Sequence, residues 1–387
     1  MAQHAYLSPS AAHRWLHCTS SPSLEATMPD SSSVYADEGT LAHAICEAKL
    51  KGYLHKEYAA QEYEMEYGEP WTDHPLYKEE MDDTTDYYTN TVIGLYEEAL
   101  KTTPDARLLV EQKVSISGKL FGTADALIVA DGLLNVIDYK HGKGVEVSAE
   151  ENPQMMIYAL AAYMWHSTEY DIEEVTMTIV QPRIGNTSSW NISAKDLNTW
   201  GSQVLIPTAT KILQEKDLEQ HAGTWCRFCK VKAQCKALKE LATETTTVTE
   251  DPRLLTLNEI AEILPKIDVI KQWCEDLSSY ALEQALSGKT VTGYKVVEGR
   301  SRRVITNQAA LADVLKEQGF AESMIYRPRE MESLTTLEKL VGKKKFAEQC
   351  GAYIDKPQGK PTLVTLSDKR PEWHENELQH DFGDIIE

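Results

Sequence analysis

Two apolar runs joined by an Asp-Gly pair at 131–132 constrain this chain more than any other feature of its sequence. The runs, residues 124–130 and 133–139, are rich in residue types typical of β-strands. An Asp-Gly pair between such runs predicts a two-residue type I′ turn and therefore a β-hairpin. In the register that this turn sets, Asp125 lies directly opposite Asp138, with Cβ atoms about 4.5–5.5 Å apart.

Two facing carboxylates repel each other, and a hairpin does not need them in order to fold. A divalent cation between Asp125 and Asp138 would turn the repulsion into binding, because hard cations take carboxylate oxygens as ligands. Lys140 lies two residues beyond Asp138 and therefore projects from the same strand face. The alternative is that both aspartates lie on a solvated outer face. The runs 127–129 and 136–137 argue against it, because strands that are apolar on both faces are covered on both sides, where unpaired charges are rare.

The motifs around this hairpin resemble those of the RecB-like PD-(D/E)XK nucleases, and in outline the whole chain resembles a phage-encoded group of them. The resemblance is carried by Gly122-x-x-Asp125, Ile137-Asp138-Tyr139-Lys140 and Gln154-x-x-x-Tyr158. It implies a restriction-endonuclease-like α/β fold with a mixed central sheet flanked by helices. It also implies DNA cleavage that depends on Mg²⁺ or Mn²⁺.

The same resemblance implies roles for individual residues. The metal ligands would be His43, Asp125, Asp138 and the backbone carbonyl of Tyr139. Lys140 would orient the attacking water or stabilise charge on the phosphoryl oxygens. Gln154 and Tyr158, which are four residues apart and share a helix face, would position the nucleic-acid strand.

Two of the candidate ligands also have a structural interpretation. His43 lies beside the apolar stripe of a helix predicted over residues 37–50, where a partly buried structural histidine is an alternative. The context Gly39-Thr40-x-x-His43 resembles the helix histidine of the family and favours metal binding. Glu111 lies in a strand predicted over residues 107–116, close to the expected partner of Asp125. It is either a neighbour of the metal site or a surface glutamate.

A cysteine pattern predicts a second metal site. Cys226, Cys229 and Cys235 are closely spaced, and Cys18 lies far upstream. Four thiolates can hold a structural Zn²⁺ or a [4Fe–4S] cluster, and spacing alone does not decide between them. Some RecB-like nucleases, among them AddB-type and CRISPR-associated ones, carry one such cysteine before the nuclease core and three after it. The resemblance therefore favours the [4Fe–4S] cluster, as a fastener between the two ends of the domain.

Composition restricts the class of protein. The net charge of −21 argues against a nonspecific nucleic-acid binder, although an enzyme with a local basic channel remains compatible with it. No apolar run reaches membrane-spanning length, and the N-terminus lacks the features of a signal peptide. We therefore expect a cytoplasmic location, in a bacterial host cell, and no membrane partner.

The chain is predicted to form two parts. Residues 1–242 form the nuclease domain, 243–253 a Thr- and Glu-rich linker, and 254–387 a mainly helical module with an acidic tail. A long helix is predicted over 256–287, with an apolar face that serves either as core or as an oligomer contact. Further candidates for phosphate contact are Arg300, Arg302, Arg303 and, more weakly, Lys343, Lys344 and Lys345; a solvated edge strand is the alternative for the arginines.

These features predict a metal-dependent DNA nuclease, an exonuclease that acts in phage recombination, replication or repair. Its expected partners are DNA and a single-strand annealing or single-strand DNA-binding protein. One alternative is a nonenzymatic DNA-binding or assembly protein with a nuclease-like fold. A second is an iron–sulfur redox protein, which would leave the Asp-Asp-Lys face unexplained.

Overall fold

The computed structural model describes residues 5–29, 34–247 and 255–297, with two isolated helical positions at 313 and 316. The chain divides into two compact units, residues 1–297 and 298–387. All the strands and helices named here belong to the first unit. The three arginines at 300, 302 and 303, the lysines at 343–345 and the acidic tail fall outside the described residues.

A five-stranded mixed sheet forms the centre of the first unit, with the strands in the order β1 to β5. Its strands are β1 (Arg107–Ser117), β2 (Leu120–Ala130), β3 (Leu133–Tyr139), β4 (Glu174–Gln181) and β5 (Asn186–Ser193). Strands β1, β2 and β3 are antiparallel neighbours, β3 and β4 are parallel, and β5 returns antiparallel to β4. This mixed sheet, flanked by helices, confirms the predicted fold class.

The predicted hairpin is present, but its turn differs from the expected type. Ala130 pairs with Leu133, and the register continues as predicted to the pair Ala126 and Ile137. The pairing of β2 with β3 ends there, one step before the predicted pair of Asp125 with Asp138. A type I′ turn needs positive φ at both central residues. Gly132 has a φ of 80°, whereas Asp131 is not in the left-handed region. The segment that enters β4 fixes this turn instead, since the Gly132 N–H donates to the Asp171 carbonyl at 2.6 Å.

Helices cover both faces of the sheet. In chain order they are α1 (Ala12–Trp15), α2 (Ser21–Glu25), α3 (Val34–His55), α4 (Ala59–Tyr67), α5 (Glu80–Thr102), α6 (Pro153–His166), α7 (Ala194–Trp200), α8 (Ile206–Leu213), α9 (Lys236–Thr246) and α10 (Leu257–Leu286). The α6-side core joins one sheet face to α1, α6, α7 and α8. The α3-side core joins the other face to α3 and α5.

Helix α6 begins where the sequence supplies its cap. The Asn152 side chain accepts hydrogen bonds from the N–H groups of Gln154 and Met155, and Pro153 occupies the first turn. Such caps satisfy amide groups that have no partner inside the helix. This start places Gln154 one turn before Tyr158, on the side of the helix that meets the end of β3.

The C-terminal part of the first unit is helical. The long helix predicted over 256–287 is present as α10; a capping box of Thr256 and Glu259 starts it, and it runs through Pro265 without ending there. Helix α9 extends to Thr246, so the beginning of the segment predicted as a linker is helical, and the proposed domain division stays a prediction. Among the described residues, none of the helices is both long and apolar enough to cross a membrane.

Candidate metal centre and nuclease site

One group of candidate metal ligands lies where α3 meets the first two strands. One ligand atom from each of His43, Glu111 and Asp125 lies within 4.8 Å of the other two. The His43 Nδ1 atom is 3.3 Å from Oδ1 of Asp125. An imidazole with two carboxylates is a donor set that suits Mg²⁺, Mn²⁺ or a similar divalent ion. The residues present therefore fit a metal ion at this position.

Both strands change face at the level of this group. Residues two apart in a strand should point to the same face. Ala124 nevertheless belongs to the α6-side core and Ala126 to the α3-side core. On β1, Leu108 and Val114 are six residues apart and should also share a face, but Leu108 belongs to the α3-side core and Val114 to the α6-side core. The sheet therefore has a break in its alternation here, which the pattern of apolar residues did not reveal.

The backbone of Glu111 accounts for this break. Its φ is 48°, a left-handed conformation that costs a residue other than glycine on the order of 1–2 kcal/mol. The neighbouring pairs, Val110 with Ala126 and Gln112 with Ala124, keep one continuous register on either side of it. The conformation thus turns Glu111 toward His43 and Asp125 without inserting an extra residue.

A second group of side chains lies at the end of β3. The Lys140 ammonium is 2.9 Å from Oδ2 of Asp138, whose side chain is only 3% exposed. The Gln154 carboxamide donates to Oδ1 of Asp138 at 3.1 Å and accepts from Lys140 at 3.2 Å. It also donates to the Tyr158 hydroxyl at 3.3 Å. The four residues that the motifs predicted on β3 and α6 are therefore brought together.

The backbone of Tyr139 connects the two groups. Its N–H donates to Oδ2 of Asp125 at 2.7 Å, so that carboxylate is held from both α3 and β3. The Tyr139 ring is buried in the α3-side core and meets His43 edge-on. The predicted role of the Tyr139 carbonyl as a ligand, and that of Asp138, stay predictions, because Asp138 is paired with Lys140 and lies outside the three-residue group.

The electrostatics of the two groups are linked. Burial opposes ionisation of Asp125, but His43 and Lys140 hold its pKa below the usual value. Burial raises the pKa of Asp138, and the Asp125 charge adds to that effect. Burial alone would lower the pKa of His43, but the Asp125 carboxylate raises it to about 9. Without a metal, the site therefore balances its negative charge with protonated His43 and Lys140.

Glu111 is the residue whose importance sequence reasoning underestimated. Burial and the neighbouring Asp125 charge raise the pKa of Glu111 to about 8, so without a cation this carboxyl group is mostly protonated at neutral pH. A bound cation would favour the ionised carboxylate and lower that pKa. The available signal was the hairpin register, which already put Glu111 within one residue of the position opposite Asp125.

Replacing Glu111 with glycine is expected to separate stability from metal binding. Glycine adopts positive φ without strain, and the change also removes a buried carboxyl group from beside Asp125. In EDTA, we expect the free energy of unfolding to rise by about 1 kcal/mol. Mn²⁺ affinity, measured by calorimetry, is expected to fall by roughly tenfold or more. A variant with unchanged Mn²⁺ affinity would exclude Glu111 as a ligand.

Gly122 of the first motif is required for close packing. A Cβ atom at this position would lie 2.9 Å from Cε1 of Tyr158 and 3.1 Å from Cγ of Pro9. Both contacts are shorter than ordinary van der Waals distances. The glycine therefore allows α6 and the N-terminal turn to approach β2, and this approach fixes the Tyr158 ring.

We expect Gly122→Ala to displace the Tyr158 ring and to lower stability by about 1–3 kcal/mol, as overpacking does. Chemical denaturation measures the loss. Gly118→Ala is a matched control, because an added Cβ there meets nothing within 4 Å. Equal stability of the two variants would contradict this account of Gly122.

The loop after Lys140 is anchored by hydrogen bonds from the end of β4. The buried Gln181 carboxamide donates to the carbonyls of Gly142 and Val145 at 2.8 and 2.7 Å. It also accepts from the Val147 N–H at 3.2 Å. The first loop side chain, His141, is buried beside Tyr139. This anchoring stabilises the connection between β3 and α6. Asp138 and Lys140 lie at the end of β3, and Gln154, which contacts both, lies on α6.

The four predicted cysteines line one small cavity. Cys18, which follows α1, meets Cys226, Cys229 and Cys235 there, together with Arg14 and His221. Burial raises the pKa of the thiols of Cys18 and Cys226, and that of Cys229 to about 12. Thiols of this kind become good ligands only when a metal displaces their protons.

Hydrogen bonds hold the two distant segments together around the cavity. The Thr19 hydroxyl accepts from the Glu219 N–H at 2.8 Å, and the Ser20 N–H donates to the Glu219 carbonyl. Arg14 forms an ion pair with Glu25 at 2.8 Å, and Glu25 also accepts from the Lys230 N–H. The predicted association of the N-terminal helix with the cysteine segment is therefore present.

The chain belongs to a protein family described as "Protein of unknown function (DUF2800)", whose model matches residues 4–371. A solved structure described as "Crystal structure of SSO0001" is similar at 18% sequence identity. The similarity covers 51% of this chain and 85% of that chain, with a TM-score of 0.22. This likeness is too weak to bear on fold or function.

Proposed function

We propose that this protein is a RecB-like, metal-dependent DNA nuclease, an exonuclease acting in phage recombination, replication or repair in the cytoplasm of a bacterial cell. One observation carries the proposal: an imidazole–carboxylate group and a lysine–carboxylate pair lie together at the end of one hairpin. Either group alone has ordinary structural explanations. Together they provide a candidate cation site beside a fixed ammonium group, a combination that metal-dependent phosphodiester hydrolysis can use.

The protein would hold Mg²⁺ or Mn²⁺ through His43, Glu111 and Asp125, with Asp138 and the Tyr139 carbonyl as further predicted ligands. A divalent ion supplies a bound water of lowered pKa and polarises the phosphate. Asp138 and Gln154 orient the Lys140 ammonium. Although burial acts against its charge, the Asp138 carboxylate raises the pKa of Lys140. The charged ammonium can therefore stabilise negative charge on the phosphoryl oxygens.

Gln154 and Tyr158 would position the DNA strand. The Gln154 side chain contacts Asp138, Lys140 and Tyr158. Its orientation is therefore coupled to the Asp138 carboxylate and to the Lys140 ammonium. Burial raises the pKa of the Tyr158 hydroxyl, which therefore remains a hydrogen-bond donor at neutral pH. A donor here, beside Lys140, suits a phosphate oxygen.

The cysteine cavity supports the proposal of a [4Fe–4S] cluster held by Cys18, Cys226, Cys229 and Cys235. The four side chains meet in one small cavity, and four thiolates can hold either this cluster or a structural Zn²⁺. The choice of the [4Fe–4S] cluster rests on the resemblance of the cysteine pattern to that of the RecB-like nucleases.

A digestion assay tests the proposed activity. End-labelled linear and circular DNA is incubated with the protein and Mg²⁺, with and without EDTA. We expect the protein to degrade linear DNA and EDTA to abolish this degradation. The proposed natural partner is a single-strand annealing or single-strand DNA-binding protein. DNA binding without cleavage would instead favour a nonenzymatic assembly protein, for which the acidic net charge of −21 is the main observation.

A further inference from the structure

The cysteine segment has a charge that is opposite to that of the chain as a whole. The complete chain has 39 Lys and Arg residues and 60 Asp and Glu residues. Residues 225–239, by contrast, contain five Lys and Arg residues and no acidic residue. A local excess of positive charge on an acidic protein attracts polyanions to one place and leaves the remaining surface repulsive.

Not all of these cations are available for a ligand. Lys232 forms an ion pair with Asp276 of α10 at 2.9 Å, and Arg14 on the neighbouring α1 is paired with Glu25. Arg227, Lys236 and Lys239 are exposed. These three side chains, on the turn that contains Cys226 and on the start of α9, form the basic part of the surface.

Aromatic side chains lie beside these cations. The Phe228 side chain is 72% exposed, and the Arg227 guanidinium lies over its ring at 5.7 Å from the centroid. On the adjacent turn, Trp225 stacks on His17 of the N-terminal segment, with the ring centroids 4.3 Å apart. Exposed rings next to exposed cations are the combination that proteins use to stack unpaired bases while they contact the phosphates.

From these observations we infer that the surface formed by Arg227, Phe228, Lys236 and Lys239 binds single-stranded DNA. The choice of DNA rests on the proposed nuclease function. The single-stranded form follows from Phe228, because bases in a duplex are already stacked and cannot cover an exposed ring. The neighbouring cavity of about 350 Å³ against α10 also contains Asp268, Glu275 and Asp276, so we place the phosphates on the exposed surface and not in that cavity.

One segment connects the cysteine cavity with the candidate nuclease site. The N-terminal segment runs from Pro9, which packs beside Gly122 as Tyr158 does, to Cys18 in the cysteine cavity. The proposed surface and the proposed site therefore belong to parts of the domain that this segment joins.

Binding of a labelled single-stranded oligonucleotide, dT20, tests this inference by fluorescence anisotropy in EDTA, where no cleavage occurs. Arg227→Gln combined with Lys236→Gln is expected to weaken binding by roughly tenfold and to reduce the slope of log affinity against log salt by about 1.4, or about 0.7 for each contact. Phe228→Ala is expected to weaken binding by roughly tenfold with an unchanged salt slope. The different slopes separate the phosphate contact from the stacking contact.

Lys56→Gln combined with Lys195→Gln is the matched control, because it removes the same charge from exposed positions elsewhere. We expect its affinity to remain within twofold of the wild type. Equal losses in the two double variants would overturn the surface assignment, and equal wild-type affinity for a duplex of the same length would overturn the single-strand assignment. Since cleavage is not measured, failure of this binding test can be distinguished from failure of the digestion assay.

Discussion

Replacing Asp138 with asparagine is expected to abolish Mg²⁺-dependent DNA cleavage while the fold is retained. Asparagine keeps the shape of the side chain but removes the charge that orients Lys140 at 2.9 Å and that contributes to the predicted metal site. We expect the rate of cleavage to fall by roughly a thousandfold or more. Lys140→Ala should have a similar effect, because it removes the positive group from the same pair.

Asp131→Asn is the matched control for this prediction. It makes the same chemical change on the same hairpin, but at the turn, where an Oδ1 atom needs only to accept the Asp171 N–H. Asparagine can accept that bond, so we expect wild-type cleavage. Circular dichroism and thermal unfolding report whether each variant is folded. A folded Asp138→Asn protein that cleaves within tenfold of the wild-type rate would remove the assignment of this site.

Purification without oxygen is expected to give brown protein with absorbance at about 400 nm, the region of iron–sulfur charge transfer. Cys229→Ser should lose that absorbance and most of its iron, because the buried Cys229 thiol is one of the four that line the cavity. The cluster would close a loop from residue 18 to residue 235, and a cross-link of that length contributes about 5 kcal/mol in the chain-entropy model. We expect the loss to appear as faster proteolysis of the N-terminal segment.

Cys274→Ser controls for the removal of a thiol as such. Cys274 is exposed on α10 and does not line the cysteine cavity. The iron content and the absorbance of the Cys274→Ser protein should equal those of the wild type. Colourless wild-type protein that contains one zinc ion would reject the iron–sulfur cluster and support the structural alternative.

The success of the sequence interpretation has a definite physical origin. Pairing around Asp131-Gly132 is local, so the register of β2 and β3 follows from counting residues. The same is true of Gln154 and Tyr158, whose separation by one helical turn is a property of any α-helix. Predictions that depended on strand register beside the turn or on spacing within one helix were therefore reliable.

Predictions that depended on contacts between distant segments were less complete. The turn at Asp131 is not type I′, because the segment that leads into β4 binds it. The loop after Lys140 is anchored by Gln181, which lies some forty residues later in the sequence. Neither contact leaves a local pattern, so local turn propensity gave the wrong turn type, and the anchoring of the loop could not be predicted.

The sequence by itself determined the mixed α/β class, the hairpin register and the residue types at each motif position, because strand periodicity and short-range turns encode them. Only the tertiary structure decided that Glu111 joins His43 and Asp125, while Asp138 pairs with Lys140. The reason is the left-handed backbone at Glu111, which breaks the alternation of the sheet. That conformation is costly for a glutamate on its own. Packing of the strands between the two cores maintains it, and this packing depends on residues from many separate parts of the sequence.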